Sequence, residues 1–240
     1  MADSNYALLG SGRLAHHFEF YLNSLGIRCT RWARRTDSIE QLKVVLREAT
    51  HVLVALSDRA LPEFTEYIQP QQIWIHFSGT VQVPGMFAAH PLMTFSEELQ
   101  SADWYRRIPF IVEEGTDFAR ILPGLPNPHF MVEAGLRPLY HSLCALAGNS
   151  VFLLWKQIGD EFEQRLQLPR HLVAPFLHQV VENAVHHSES AFTGPVARQD
   201  WTTVRSHLQS LDAIPDLKAA YQEYLKTANA TGLEIPKEFL

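Results

Sequence analysis

Lysine is scarce in this chain: five residues against 15 arginines, with none between Lys43 and Lys156. The long middle stretch therefore offers no ammonium group as a proton carrier. Cysteine is scarcer still. Cys29 and Cys144 stand far apart, outside any metal or redox spacing, so a disulfide-stapled secreted fold is not expected and a reducing cytoplasm is. No apolar run reaches the length of about 18 residues that a spanning helix needs. The opening Met1-Ala-Asp-Ser-Asn-Tyr shows no basic segment with an apolar run behind it, so no signal peptide is expected. Positive charge is also short: the net charge is −6 and the pI near 6.0. A general nucleic-acid or anionic-membrane binder would want a basic face.

What is present is core-forming material. Hydrophobic residues are 46% of the chain and charged residues 19%, which is not the composition of a disordered chain. A length of 240 residues suits one large domain or two modest ones. Histidine is unusually common, with 12 residues.

Tyr6-Ala-Leu-Leu reads as a short strand. Gly10-Ser11-Gly12-Arg13-Leu14-Ala15 follows, then Leu14, Phe18, Tyr21, Leu22 and Leu25 at helical spacing, with Gly26 as a C-terminal cap. Ile27 to Trp32 reads as a second strand. In this strand–turn–helix–strand context G-x-G-x-x-A gains meaning. Gly10 permits the tight turn and Gly12 admits a pyrophosphate to backbone amides. Ala15 lets the helix pack closely, and the helix N-terminus, with Arg13 and Leu14, faces the phosphates. A glycine turn that binds nothing is the alternative.

An NAD site wants Asp or Glu at the end of the second strand. Arg31, Arg34 and Arg35 stand there instead.

 From Phe20 through Thr36 the sequence holds no Asp or Glu at all. Guanidinium forks suit a 2′-phosphate, so NADP is preferred over NAD. A solvated basic loop is the alternative.

His51 to Leu56 is a continuous apolar strand, of the kind buried in a parallel sheet. Ser57 sits at its C-terminal end, the edge that holds ligands in open α/β sheets. Ile73 to Phe77 reads as another strand, ending in Ser78-Gly79, whose amides are placed to meet substrate or a nicotinamide carboxamide. His76, inside that strand, is expected to be buried and bonded to backbone. His90 is expected in a loop before Pro91. Pro109 to Glu113 is a strand, 117–122 a short helix, and a last strand lies around Phe130. These elements predict a doubly wound parallel α/β domain over 1–132. From 133 to 240 the pattern turns helical: Leu139, Leu143, Leu146, Ser150 and Leu153 share a stripe of one helix running to about Gln167. A second helix covers 170–191, with a start or kink at Pro175, and a third covers 216–231. No strand is needed after 135.

The fingerprint, Ser78-Gly79, His90-Pro-Leu-Met-Thr-Phe95, Arg137-Pro-Leu-Tyr-His141 through Asn149, and Thr193-Gly-Pro-Val-Ala-Arg-Gln-Asp200 occur in this order. Together they resemble a family with a Rossmann-like NADP-binding domain and a helical domain of the 6-phosphogluconate dehydrogenase C-terminal type. That family is similar in organisation to pyrroline-5-carboxylate reductase, prephenate dehydrogenase and the coenzyme-F420-dependent NADP reductases. The resemblance implies a nicotinamide-dependent oxidoreductase, and a homodimer through its helical domains. It names no substrate. Two positions depart from the pattern. Gln199 replaces an expected glycine, and Ala145 stands where related 3-hydroxyacid dehydrogenases carry a catalytic lysine four residues before an asparagine.

Hydride transfer needs a group that gives or takes a proton. Without that lysine, histidine is the obvious carrier, and His90 and His141 are the candidates. His141 and Asn149 lie about 12 Å apart along a helix axis, on nearly the same face, so both can line one cleft. Asn183, Thr193, Arg198 and Asp200 are candidate substrate contacts; Arg198 either binds a substrate carboxylate or pairs with Asp200. The pairs His16-His17 and His186-His187 point to different helix faces, so no metal site is expected. The sequence therefore predicts an NADP(H)-dependent oxidoreductase of a small carbonyl, imine or hydroxy acid. The alternatives are a non-catalytic NADP sensor or dimeric scaffold, and, less suited to the arginines, an S-adenosylmethionine site.

Overall fold

The computed structural model describes residues 4–186 and 191–240. Its packing divides the chain into two compact units, residues 1–149 and 150–240.

The first unit alternates strands and helices. β1 is Tyr6–Leu9, α1 Arg13–Ser24, β2 Cys29–Trp32, α2 Ile39–Glu48 and β3 His51–Val54. A 3₁₀ segment, Asp58–Tyr67, leads to β4, Ile73–His76. β5 (Met86–Pro91), α3 (Ala102–Arg106), β6 (Phe110–Glu113), α4 (Phe118–Ile121) and β7 (His129–Val132) follow, then α5, Arg137–Ala145. The seven strands form one sheet in the order β2-β1-β3-β4-β5-β6-β7.

Alternation along the buried strands explains the double winding. Tyr6 and Leu8 of β1, Leu53 of β3 and Ile75 of β4 meet Ala15, Phe18, Tyr21 and Leu22 of α1. Ala7, Leu9, Val52, Val54 and Trp74 point the other way, onto Leu42 and Leu46 of α2 and onto Leu61 and Phe64. Strand order reverses at β1, with β2 on one side and β3 on the other. The crevice beyond the C-terminal ends of β1 and β3 is thus a topological switch point.

Two local expectations are corrected. The sheet is not wholly parallel: β6 runs antiparallel to β5, and β7 parallel to β6. The chain between β5 and β6 carries only the five-residue α3 and returns on the same edge without a crossover. His90 is not in a loop either. It lies on β5, paired with Ile111, and Pro91 is the last residue of that strand. Pro91 has no N–H to give a ladder, which makes the segment read as a loop.

The boundary expected after residue 132 falls at the end of β7, whereas the first unit continues through α5. Arg137 ties the start of α5 to this unit. Its side chain is fully buried, and Nη2 donates to the Ser78 carbonyl at 2.5 Å. A π turn, Leu146–Ser150, follows α5.

The second unit holds α6 (Val151–Gln164), α7 (Ala174–His186), α8 (Trp201–Ser210) and α9 (Pro215–Ala230). Val196, Val204, Leu225, Ala228, Ile235 and Phe239 form its core. Among the described residues no strand follows Val132, and no helix is long and apolar enough to cross a membrane.

Candidate active site

The glycine turn lies at the switch point. Gly10 has φ +149°, and a Cβ there would stand 2.4 Å from the Ala55 carbonyl oxygen and 3.4 Å from the Ala15 Cβ. Only glycine suits that close approach. Gly12, the N-cap of α1, has nothing within 4 Å of a Cβ position, and no side chain caps the helix. The space beside Gly12 is thus open at the start of α1, where Leu14 and the buried Ala15 pack on the sheet side. Arg13 Nη1 donates to the Phe95 carbonyl at 3.4 Å.

The arginines after β2 are partly engaged. Arg31 bonds Glu19 at 2.5 Å, and Arg34 bonds Glu63 at 2.8 Å while stacking over Phe64. Arg35 is exposed. Asp37, just past the acid-free stretch, accepts from the Ala33 N–H at 2.7 Å. A hollow of about 310 Å³ lies here, with Trp32, Arg34, Asp37, Glu63 and Phe64 in its wall. Ser57 is the N-cap of the 3₁₀ segment after β3.

A second cleft, of about 570 Å³, gathers residues from β5, α5 and the π turn. His90, Tyr140, His141 and Asn149 all line it. His90 Nδ1 and the Tyr140 hydroxyl are 2.7 Å apart, a full hydrogen bond whose direction follows the imidazole tautomer. The His90 and His141 rings meet edge to face at 5.5 Å between centroids. Gly79 makes room for this: a Cβ there would lie 2.3 Å from His141 Cδ2. Asn149 is exposed, on the π turn; such bulges frequently mark functional positions.

Electrostatics keep His90 and Tyr140 uncharged. Burial, with His141 and Arg137 nearby, lowers the His90 pKa to about 4. Burial and Arg137 likewise lower His76 to about 4. Burial and a hydrogen-bonding Cys144 raise the Tyr140 phenol. At neutral pH His90 and Tyr140 are both neutral.

Depressed histidine pKa values make the native state favour neutral rings, so the unfolded chain binds more protons between about pH 6.5 and pH 4. Stability is full above pH 6.5 and falls below it, by up to about 1.4 kcal/mol per pH unit for each histidine. Urea midpoints should drop between pH 7 and pH 5, and less steeply in His90→Phe. An unchanged midpoint across that range contradicts the assignment.

Ser78 is more structural than expected. Its N–H donates to His76 Nδ1 at 3.3 Å, its hydroxyl accepts from the Thr80 and Val81 amides at 3.1 Å each, and its carbonyl takes Arg137. His76 is buried as expected, with Nε2 lacking a partner among the described residues.

The other candidates belong to the second unit. Asn183 and Thr193 line a hollow of about 500 Å³ with Phe176 and Phe192, and Asn183 Oδ1 accepts from Gln179. Asp200 caps α8, accepting from the Thr203 amide at 3.1 Å and hydroxyl at 2.7 Å; these bonds hold its pKa down. Arg198 is exposed. Gln199 has φ +56°, a left-handed conformation that explains the glycine expected there. His17 is buried against the Tyr105 hydroxyl and the Ser96 carbonyl. His186 lies 3.5 Å from Glu182, and His187 is outside the described residues. Among the described residues no group of three His, Cys, Asp or Glu side chains could hold a metal.

Sequence reasoning missed Tyr140 and Arg137. Tyr140 was within a segment already singled out, one residue before His141. Arg137 opens the same segment, but its burial gave no signal, because arginine is almost never fully buried.

The family described as "Domain of unknown function (DUF2520)" matches residues 114–228. No curated protein matches the chain. Solved structures do. One is a Bacteroides fragilis protein described as an NADP oxidoreductase. It has 21% identity and a TM-score of 0.72, over 92% of this chain and 96% of that one. An imine reductase from Myxococcus stipitatus, in complex with NADP⁺, has 10% identity and a TM-score of 0.63, over 95% of each chain. A 1-pyrroline-5-carboxylate reductase from Streptococcus pyogenes has 9% identity and a TM-score of 0.56, over 94% of this chain and 98% of that one. The chain has the Rossmann-like α/β fold with a helical C-terminal region that these proteins share.

Proposed function

We propose that the chain is an NADP(H)-dependent oxidoreductase acting on a small carbonyl, imine or hydroxy acid. The observation that carries this reading is the uncapped N-terminus of α1, open at Gly12 and set at the switch point of the sheet. The similar imine reductase, itself in complex with NADP⁺, supports it.

The residues fit such a cofactor. Amides of Arg13, Leu14 and Ala15 would hold its pyrophosphate. Arg34 and Arg35 would meet a 2′-phosphate, Arg34 exchanging Glu63 for it, and the hollow beside Asp37 would take the adenosine end. His90 lies near the C-terminal end of β5, on the same sheet edge as the glycine turn. Three strand spacings of about 4.8 Å separate β1 from β5, about 14 Å in all, a distance an extended dinucleotide can bridge.

The nicotinamide supplies the hydride. Tyr140, missed as a sequence candidate, is the proton donor in this reading. With a proton on Nδ1, neutral His90 donates to Tyr140 Oη. That frees the phenol proton for the substrate and stabilises the phenolate left behind. His141 packs the His90 ring in place, and Asn149 offers a polar contact at the cleft rim. Titration of the purified chain with NADPH, followed by nucleotide fluorescence, tests the reading: saturable binding, tighter than that of NADH, is expected. Absence of binding would exclude it.

A homodimer belongs to the same proposal. Phe152, Phe176 and Val185 of the second unit are 67%, 62% and 69% exposed, and large exposed apolar surface marks an interaction site. Sedimentation equilibrium should return a dimer at micromolar concentration; a monomer contradicts it.

A further inference from the structure

We infer that the cleft beside Tyr140 accepts an uncharged carbonyl or imine compound with an apolar body, and that carboxylic acids are not its substrates. This inference rests on the oxidoreductase reading above and narrows it, removing the hydroxy acids.

The lining decides the class. Leu92, Met93, Leu143 and Ala147 supply apolar lining, and the polar side chains are Thr94, Cys144, Asn149, Tyr140 and the two histidines, His90 and His141. Among the described residues lining the cleft, none is Lys, Arg, Asp or Glu. A carboxylate entering it would lose water without gaining a fixed cation, which is unfavourable. Arg137, on the same helix as Tyr140, is not among the residues that line the cleft. Its guanidinium is fully buried, with Nη2 on the Ser78 carbonyl and Nε 3.9 Å from the Glu113 carboxylate. A cationic substrate finds no carboxylate there either. A neutral C=O or C=N group, by contrast, meets a phenol O–H at one end and apolar side chains along its body. The volume, about 570 Å³, is that of a small-molecule site.

The step balances. The carbonyl carbon gains a hydride from NADPH, which becomes NADP⁺, and the former double-bond pair on oxygen takes the Tyr140 proton. The phenolate then regains a proton from solvent.

Cyclohexanecarboxamide and cyclohexanecarboxylate form a matched pair, alike in shape, that nicotinamide chemistry leaves unchanged. Their binding to the full chain would be read on the Met93 methyl signal of methyl-labelled protein, assigned through Met93→Leu, with and without NADP⁺. At least tenfold tighter binding of the carboxamide is expected. Equal or tighter binding of the carboxylate overturns the inference. So does failure of both to move the Met93 signal at about 10 mM, an affinity weaker than about −3 kcal/mol. NADPH binding, measured separately on the same sample, reports on the underlying reading. A chain that prefers the carboxamide but ignores NADPH would refute that reading and leave the cleft's selectivity standing.

Discussion

Gly12→Glu is expected to fold normally and to lose at least 100-fold in NADPH affinity, about 2.7 kcal/mol or more. Gly12 has φ −77° and ψ 178°, values open to any residue, and a side chain there meets nothing within 4 Å. An acidic group near the positive end of α1 even favours the helix. The same carboxylate would stand where a pyrophosphate must approach, adding both bulk and like charge. Gly10→Val should behave oppositely. Its Cβ would press on the Ala55 carbonyl at 2.4 Å in a left-handed backbone, so the fold itself should suffer. Circular dichroism melts and fluorescence titrations separate the two effects. A Gly12→Glu protein that folds and still binds NADPH with unchanged affinity would remove the glycine turn from the site.

Tyr140→Phe is expected to slow NADPH oxidation by a factor of about 10² to 10⁴, the usual span for a lost general acid. The ring should keep its packing against His90, and NADPH affinity should change little, because Tyr140 lies in the His90 cleft and not at the glycine turn. His90→Phe should have a smaller effect in the same direction, since His90 acts through the phenol. Steady-state rates with any substrate that supports turnover would show this as a loss in kcat. Full activity in Tyr140→Phe would mean that the proton comes from elsewhere.

The sequence exposes those parts of this molecule that obey local rules. The glycine turn, α1 with its C-terminal Gly26 at φ +69°, the apolar run of β3 and the helical run after β7 all follow from spacing and composition. Tertiary contacts hide the rest. Pro91 disguises β5 because a proline at a strand end looks like a loop residue. The antiparallel turn into β6 is set by a short return, which no residue pattern announces. Tyr140 matters because it touches His90, 50 positions earlier in the chain. Arg137 is buried against the residue rule for arginine, held by one carbonyl 59 positions away. Asp37 lies one position beyond the acid-free stretch that favoured NADP, and its carboxylate closes the turn through the Ala33 amide. The scarcity of lysine keeps its meaning: under the proposed function, the cleft's proton chemistry falls to a neutral phenol and imidazole.

The most direct test of the account is a crystal structure of the chain grown with NADP⁺. The account predicts the pyrophosphate on the amides at Gly12 and the nicotinamide C4 facing the His90–Tyr140 pair across the cleft. A nicotinamide ring turned away from that pair, or bound on residues other than those of the His90 cleft, would contradict it.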